Sequence, residues 1–313
     1  MSENNTLQSS LKSSDTEEWL DIHFTRPLGL LWARFFRRLG VHPNVVTVLS
    51  IILGIGAGVC FYFEDLRVTI LGIFLLVWAN IYDSCDGQLA RLTGQKTRLG
   101  RVLDGFAGDA WFFTIYFFIC LRLTPREMVA GHRWGVWIWL LAALAGLVCH
   151  ARQCQLADYY RNIHLFFLRG EGGSELDNSS TLSAEYAALT FRRDPIWKTF
   201  LFFYRNYTRS QEALTPAFQQ FRSALKAQFP DGPLPPQLCA DFRAGSLPLM
   251  KWTNILTFNT RAIFLYAVLL IGLPWLYFVF EITVMTAFAL YMRSRHEALC
   301  RRLLTCLDKY THL

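Results

Sequence analysis

Long apolar runs alternate along this chain with short basic or acidic clusters, and several runs are long enough to act as membrane spans. Six such segments are predicted, at about 45–63, 68–82, 102–121, 134–149, 262–271 and 275–292. Five of them approach the ~20 residues that a hydrocarbon core requires, and 262–271 is shorter. Ahead of them, Leu28, Leu31, Trp32, Phe35 and Leu39 recur at helical spacing, with Arg34, Arg37 and Arg38 mainly on the other side. That pattern predicts an amphipathic helix lying in the membrane interface, arginines toward acidic headgroups. Between the fourth and fifth spans the pattern turns polar over residues 170–250. There Thr215-Pro216 opens a predicted helix carrying Phe218, Phe221, Leu225 and Phe229, and "PDGPLPPQ" closes it. Gly170, Gly172 and Gly173 with the Ser/Asn run after them read as a flexible linker.

The expected class is all-α: a polytopic membrane protein with six transmembrane helices, an interfacial helix and a cytoplasmic helical insert. Its expected divisions are a polar N-terminal tail (1–26), the interfacial helix with spans one to four (27–169), the insert (170–250), and spans five and six with a basic tail (251–313). Arginines gather before the first span, around Lys96 to Arg101, after Arg152 and from Arg293 to Arg302, which predicts cytoplasmic termini. Arg122, Arg126 and Arg133 run against this rule, because they fall in a predicted outer loop.

Composition supports the lipid setting: 53% of the 313 residues are hydrophobic and 18% charged. With that much apolar sequence, the net charge of +7 fits anionic lipid or an anionic substrate rather than nucleic acid. The eight cysteines lack metal or disulfide spacing and are expected to be reduced.

Against this apolar background the stretch from Tyr82 to Asp109 holds four aspartates. Ionisable groups at membrane depth point to function by default. On a helix Asp83, Asp86, Gly87 and Ala90 fall on one stripe, so two carboxylates face one way beside small residues that let a ligand approach the backbone. After "TGQK", a plausible turn, a second helix presents Gly100 and Asp104. Clustered carboxylates repel unless a cation lies among them, and oxygen donors without His or Cys favour Mg²⁺ or Mn²⁺. A divalent-cation transporter and a membrane scaffold whose acid site has decayed are the competing readings. Transporters set their sites near the midplane on broken helices, whereas these acids lie toward the predicted cytoplasmic end.

The spacing Asp83-x2-Asp86-Gly87-x2-Ala90-Arg91-x8-Gly100-x3-Asp104 resembles the motif of the CDP-alcohol phosphotransferase (CDP-alcohol phosphatidyltransferase) family, membrane enzymes of phospholipid head-group synthesis. "HPNVVTVLS", with Pro43, Asn44 and Thr47, is similar to the start of that family's first helix. The resemblance implies an enzyme that transfers a phospho-group from a CDP-activated lipid or alcohol to a hydroxyl acceptor, releasing CMP, with one or two Mg²⁺ or Mn²⁺ ions and a homodimeric state. It implies metal ligation by Asp83, Asp86 and Asp104, and CDP binding by Asn44, Thr47, Asp83, Gly87, Ala90, Arg91 and Gly100. The family places a fourth aspartate, both metal ligand and proton acceptor, at the position that Gly108 holds here; Asp109 comes one residue late. One extra residue turns a helical side chain by roughly 100°. A π-bulge between Asp104 and Asp109 would absorb it and give Asp109 the fourth role. Thr97-Arg98-Leu99-Gly100 is similar to phosphatidylinositol synthases, which implies an inositol-type polyol or its phosphate as acceptor; amino-alcohol and sphingolipid-type head-group transfer are the alternatives. Arg98, Arg152, Lys251 and Arg261 are the candidate acceptor-binding cations, and Glu281, inside the last span, is a further candidate contact.

Overall fold

The computed structural model describes residues 13, 15–95, 97–128, 131–170, 174, 176–230 and 233–310, with the backbone alone at Arg98. Among them there are helices and no strand beyond one isolated bridge between Glu127 and Arg133. Six helical stretches are long and apolar enough to cross a membrane, matching the six expected spans. The linker expected at Gly170–Gly173 lies largely outside the described residues, as does Lys96.

The chain forms two compact units. The first comprises everything up to His150 together with Asn259–Val284, and the second comprises Ala151–Phe258 and Met285–Leu313.

In the first unit, α1 (Arg26–Arg38) follows a π-helical turn, Asp21–Thr25. Gly29, Leu30, Ala33 and Phe36 are buried on one side of α1, while Arg34, Arg37 and Arg38 are exposed. Ala33 and Phe36 enter a core with Val46, Cys85 and Leu89. Helix α2 (Pro43–Cys60) starts where His42 Nδ1 accepts from the Asn44 amide at 3.1 Å, with Pro43 fixing the first turn. Helix α3 (Leu66–Thr93) is capped by Asp65, which accepts from the Arg67 amide at 2.7 Å, and ends at Gly94 in the left-handed region, φ +70°. Helix α4 (Arg98–Leu123) is capped by the Thr97 hydroxyl, which accepts from the Gly100 amide at 2.9 Å. Glycines let these helices close up. A Cβ on Gly54 would stand 2.0 Å from the Trp111 ring, and one on Gly58 would stand 2.7 Å from Thr114. The small residues of this stretch thus serve helix packing. The awkward loop arginines also find a reason: Arg126 and Arg122 pair with Glu64, at 2.5 and 3.9 Å, so much of their charge is neutralised.

Helix α5 (Gly135–Arg169) leaves the first unit at His150, just after a π-helical turn at Leu144–His150. Helices α6 (Ser179–Ala188), α7 (Pro195–Leu214), α8 (Pro216–Gln228) and α9 (Pro236–Ile255) belong to the second unit. Helix α10 (Phe258–Leu270) returns to the first, and α11 (Trp275–Thr305), with a π-helical turn at Glu281–Met285, passes back to the second.

The second unit is a packed bundle that divides the chain differently from the expected 170–250 insert. It also takes in the later halves of α5 and α11. Phe167 stacks on Phe242 at 3.8 Å and on Phe221 at 5.9 Å. Glu297 of α11 accepts from the Ala217 amide at 2.7 Å, supplying the N-terminal partner that α8 lacks locally. Helix α8 itself follows the sequence reading, from Pro216 with Phe218, Phe221 and Leu225 inward. A last 3₁₀ turn, Leu307–Tyr310, is tied down by Tyr310 donating to Asp241 at 2.7 Å; that bond, more than burial, pushes the phenol up to about 12. All eight cysteines are free thiols.

Candidate active site

The acids predicted to converge do so. Asp83 and Asp86 on α3 and Asp104 on α4 each offer a carboxylate oxygen, and these three oxygens lie within 4.8 Å of one another. The turn between Thr93 and Thr97 makes this possible, because the two helix caps, Gly94 and Thr97, stop one helix and start the next over a few residues. Asp86 is buried and Asp104 exposed, so the cluster opens to one side.

The surroundings are built from four elements. Thr47 is buried on α2, its hydroxyl donating to the Pro43 carbonyl at 3.3 Å, and the buried Asp86 Oδ2 has no hydrogen-bond partner. Asn44 Oδ1 accepts from the Thr97 hydroxyl at 3.3 Å and lies 2.8 Å from where a Gly100 Cβ would stand. Gly100 is therefore the residue that lets α2 and α4 meet there. Gly87 has only the Arg91 guanidinium nearby, 3.6 Å from its would-be Cβ. Arg91 Nε and Nη2 are both buried without a hydrogen-bond partner, and such donors are costly to leave unmade. A buried, unsatisfied carboxylate oxygen beside unsatisfied guanidinium donors suits a cation and a multiply charged anion bound together. The donor set, three carboxylates with no His or Cys, fits Mg²⁺ or Mn²⁺.

Sequence reasoning missed the floor of this site. The segment expected as a polar tail folds back here: Glu17 pairs with Arg26 at 3.0 Å, Arg26 reaches the Ser84 hydroxyl at 3.4 Å, and Gln88 donates to the Arg26 carbonyl at 3.1 Å. Asn259 donates to Glu18 and Asp21 at 2.9 and 3.0 Å. Nothing local in the polar tail signals these long-range pairs.

Asp109 departs from expectation. Helix α4 is α-helical throughout, so the π-bulge predicted between Asp104 and Asp109 is absent. Five residues of regular helix carry Asp109 roughly 140° around from Asp104 and about 7.5 Å along. The close trio of Asp83, Asp86 and Asp104 does not include it. The titratable group acting on Asp109 is the His150 imidazole. His150 was not foreseen, and it belongs to a buried network. Its Nδ1 lies 3.0 Å from Arg261 Nη1 and 3.6 Å from Glu281 Oε1, and Arg261 donates directly to Glu281. Arg261 and Glu281 are fully enclosed, with Phe112 packed on His150 at 4.5 Å. π-Turns do occur in this unit, but in the helices carrying His150 and Glu281 rather than in α4.

The candidate acceptor cations fare variously. Arg261 is paired with Glu281. Arg152, in the second unit, donates to the Ser210 hydroxyl at 2.6 Å, and Lys251 lies over the Trp252 ring at 5.1 Å. The side chain of Arg98 lies outside the described residues.

Residues 40–164 match the family model described as CDP-alcohol phosphatidyltransferase. The chain is 41% identical over 71 residues to an uncharacterized protein of Aquifex aeolicus (strain VF5), a stretch covering 22% of this chain and 34% of that one. It is 30% identical over 106 residues to the bifunctional IPC transferase and DIPP synthase of the same organism, covering 34% of this chain and 22% of that protein. The chain thus spans about a third and about a fifth of the lengths of these curated relatives.

Proposed function

We infer from the CDP-alcohol phosphatidyltransferase domain over residues 40–164 that the protein transfers a substituted phosphate from a CDP-activated lipid or alcohol to an acceptor hydroxyl, releasing CMP. The observation that carries this reading is the trio Asp83, Asp86 and Asp104, its oxygens within 4.8 Å of one another inside the matched segment. These three would hold Mg²⁺ or Mn²⁺. Such ions, when bound, neutralise pyrophosphate oxygens and the charge that builds on a departing phosphate.

The chain's own residues supply the rest. Gly87 and Ala90 leave room for a nucleotide against α3, while Gly100 lets α2 close on α4 and so seats Asn44 at the edge of the site. Asn44 and Thr47 fix the start of α2 beside them. The unsatisfied nitrogens of Arg91 are donors for phosphate oxygens. Asp109, off the stripe and beside His150, is the proposed proton acceptor for the attacking hydroxyl, acting from the flank of the site rather than as a fourth metal ligand. The acceptor is proposed to be a polyol such as inositol or its phosphate, on the strength of Thr97-Arg98-Leu99-Gly100 and of a relative named as a transferase and synthase. Arg98 is its candidate contact. The basic clusters favour a cytoplasmic site, and the family reading favours a homodimer.

The test is CMP release from a labelled CDP-lipid by the reconstituted protein across a panel of polyols, amino-alcohols and lipid hydroxyls. The expected result is release that requires Mg²⁺ or Mn²⁺, is greatest with a polyol, and is abolished in Asp83→Asn, Asp86→Asn and Asp104→Asn. Absence of turnover with every CDP donor, together with protein-dependent Mn²⁺ uptake into the vesicles, would replace the transferase by a cation transporter.

A further inference from the structure

Helix α7 carries two faces of different character. Its inner face is packed: Trp197, Phe200 and Tyr204 form a ladder of rings at 5.0 and 5.3 Å, and Leu201, Thr208 and Gln211 are buried. Its outer face exposes large apolar side chains beside Thr199 and Asn206. Ile196 is 64% exposed, Phe203 65% and Phe202 41%, and Phe191, in the turn before the helix, is 56% exposed. Ile196 and Phe203 are two turns apart on one stripe. A polar bundle has no reason of its own to present such residues, and contiguous apolar exposure with a polar rim marks a contact surface.

The rim is basic. From Glu185 to Arg209 the chain has five cations (Arg192, Arg193, Lys198, Arg205 and Arg209) against two acids, Glu185 and Asp194. Two of the cations are held in place: Lys198 and Arg205 each lie over the Tyr186 ring at 4.5 Å. Arg192 and Arg193 are exposed, with no side-chain partner among the described residues.

We propose that the α6–α7 hairpin of the second unit docks on an anionic lipid surface, inserting Phe191, Ile196, Phe202 and Phe203 among the headgroups while Arg192, Arg193 and Arg209 meet lipid phosphates. Aromatic and aliphatic side chains beside long cationic ones are the composition of an interfacial binder. Charge decides against a second copy as the occupant. A two-fold contact sets like against like, so this surface would face its own excess of positive charge. Anionic lipid supplies the opposite sign instead.

The experiment places a photo-cross-linking residue in the full chain, Phe203→p-benzoylphenylalanine, and reconstitutes it in vesicles of phosphatidylcholine alone or mixed equally with phosphatidylglycerol. Position 147, where Leu147 is 77% exposed on a spanning helix, serves as the lipid-facing control, and Ala227, exposed on α8, as the second-unit control. The expected result is a lipid adduct at 203 in the mixed vesicles, several-fold above that at 227. It should fall several-fold in phosphatidylcholine alone, and likewise in Arg192→Ala/Arg193→Ala with its thermal transition unchanged. Cross-linking of 203 to a second copy would overturn the proposal in favour of a protein interface. Equal adducts in both lipids, or none at 203 while 147 reacts, would overturn it outright.

Discussion

Removing one member of the Arg261–Glu281 pair should be far more damaging than removing both. Arg261 is 1% exposed and Glu281 fully buried, and His150 is the third member of the network. Arg261→Met leaves the Glu281 carboxylate enclosed with no guanidinium to balance its charge. Breaking a buried pair from one side costs about 3–5 kcal/mol, whereas replacing both partners with apolar residues of similar volume is often neutral. At about 2–4 °C for each kcal/mol, the single variant should melt roughly 10 °C below the parent. The double variant Arg261→Met/Glu281→Leu should recover most of that loss. The assay is a thermal transition in mild detergent followed by size-exclusion recovery, with CMP release measured on the same samples. If Arg261→Met alone moves the transition by less than about 2 °C, the pair does not bear the charge balance described here. If the double variant is stable and active, the network serves the fold alone; if it is stable and inactive, His150 and Asp109 depend on it for chemistry.

Other expectations follow from the same geometry. Asp109→Asn should abolish CMP release while leaving Mn²⁺ binding intact, and Asp86→Asn should lose both; equal loss of metal in the two variants would return Asp109 to the ligand set. Chelation of divalent ions should stop turnover, and Mg²⁺ or Mn²⁺ should restore it where Zn²⁺ does not, a contrast read directly from CMP release. Gly100→Ala places a Cβ 2.8 Å from Asn44 Oδ1, so KM for the CDP donor should rise with little change in melting; an unchanged KM would clear Gly100 of any role in donor binding. Gly54→Val drives a branched side chain into the Trp111 ring and should cost at least ~1–3 kcal/mol, visible as a lowered transition.

The sequence was most readable where periodicity acts over one or two turns. Asp83, Asp86 and Gly87 share a stripe by arithmetic, and a short break before Thr97 brings Asp104 back to them. Thr215-Pro216 announced α8 for the same local reason. Pairs made over long separations were not readable: Glu17 with Arg26 beneath Ser84, or His150 with Arg261 and Glu281, depend on which helices meet. The displaced Asp109 shows this limit most clearly. Its one-residue shift called for a backbone irregularity, which was sought in the helix that carries it. The irregularities of this unit lie instead at Asp21–Thr25, Leu144–His150 and Glu281–Met285, where the local sequence does not announce them.

His150, Arg261 and Glu281 share one further property: each sits within a few residues of the point where its helix leaves the first unit, at His150, Asn259 and Val284. Three separate rods are thus lashed together at their exits by a single knot of charge. A twist imposed on any one of them is felt by the other two, and by the imidazole that neighbours Asp109. Within the first unit, a change in any one of these three side chains therefore reaches the surroundings of Asp109.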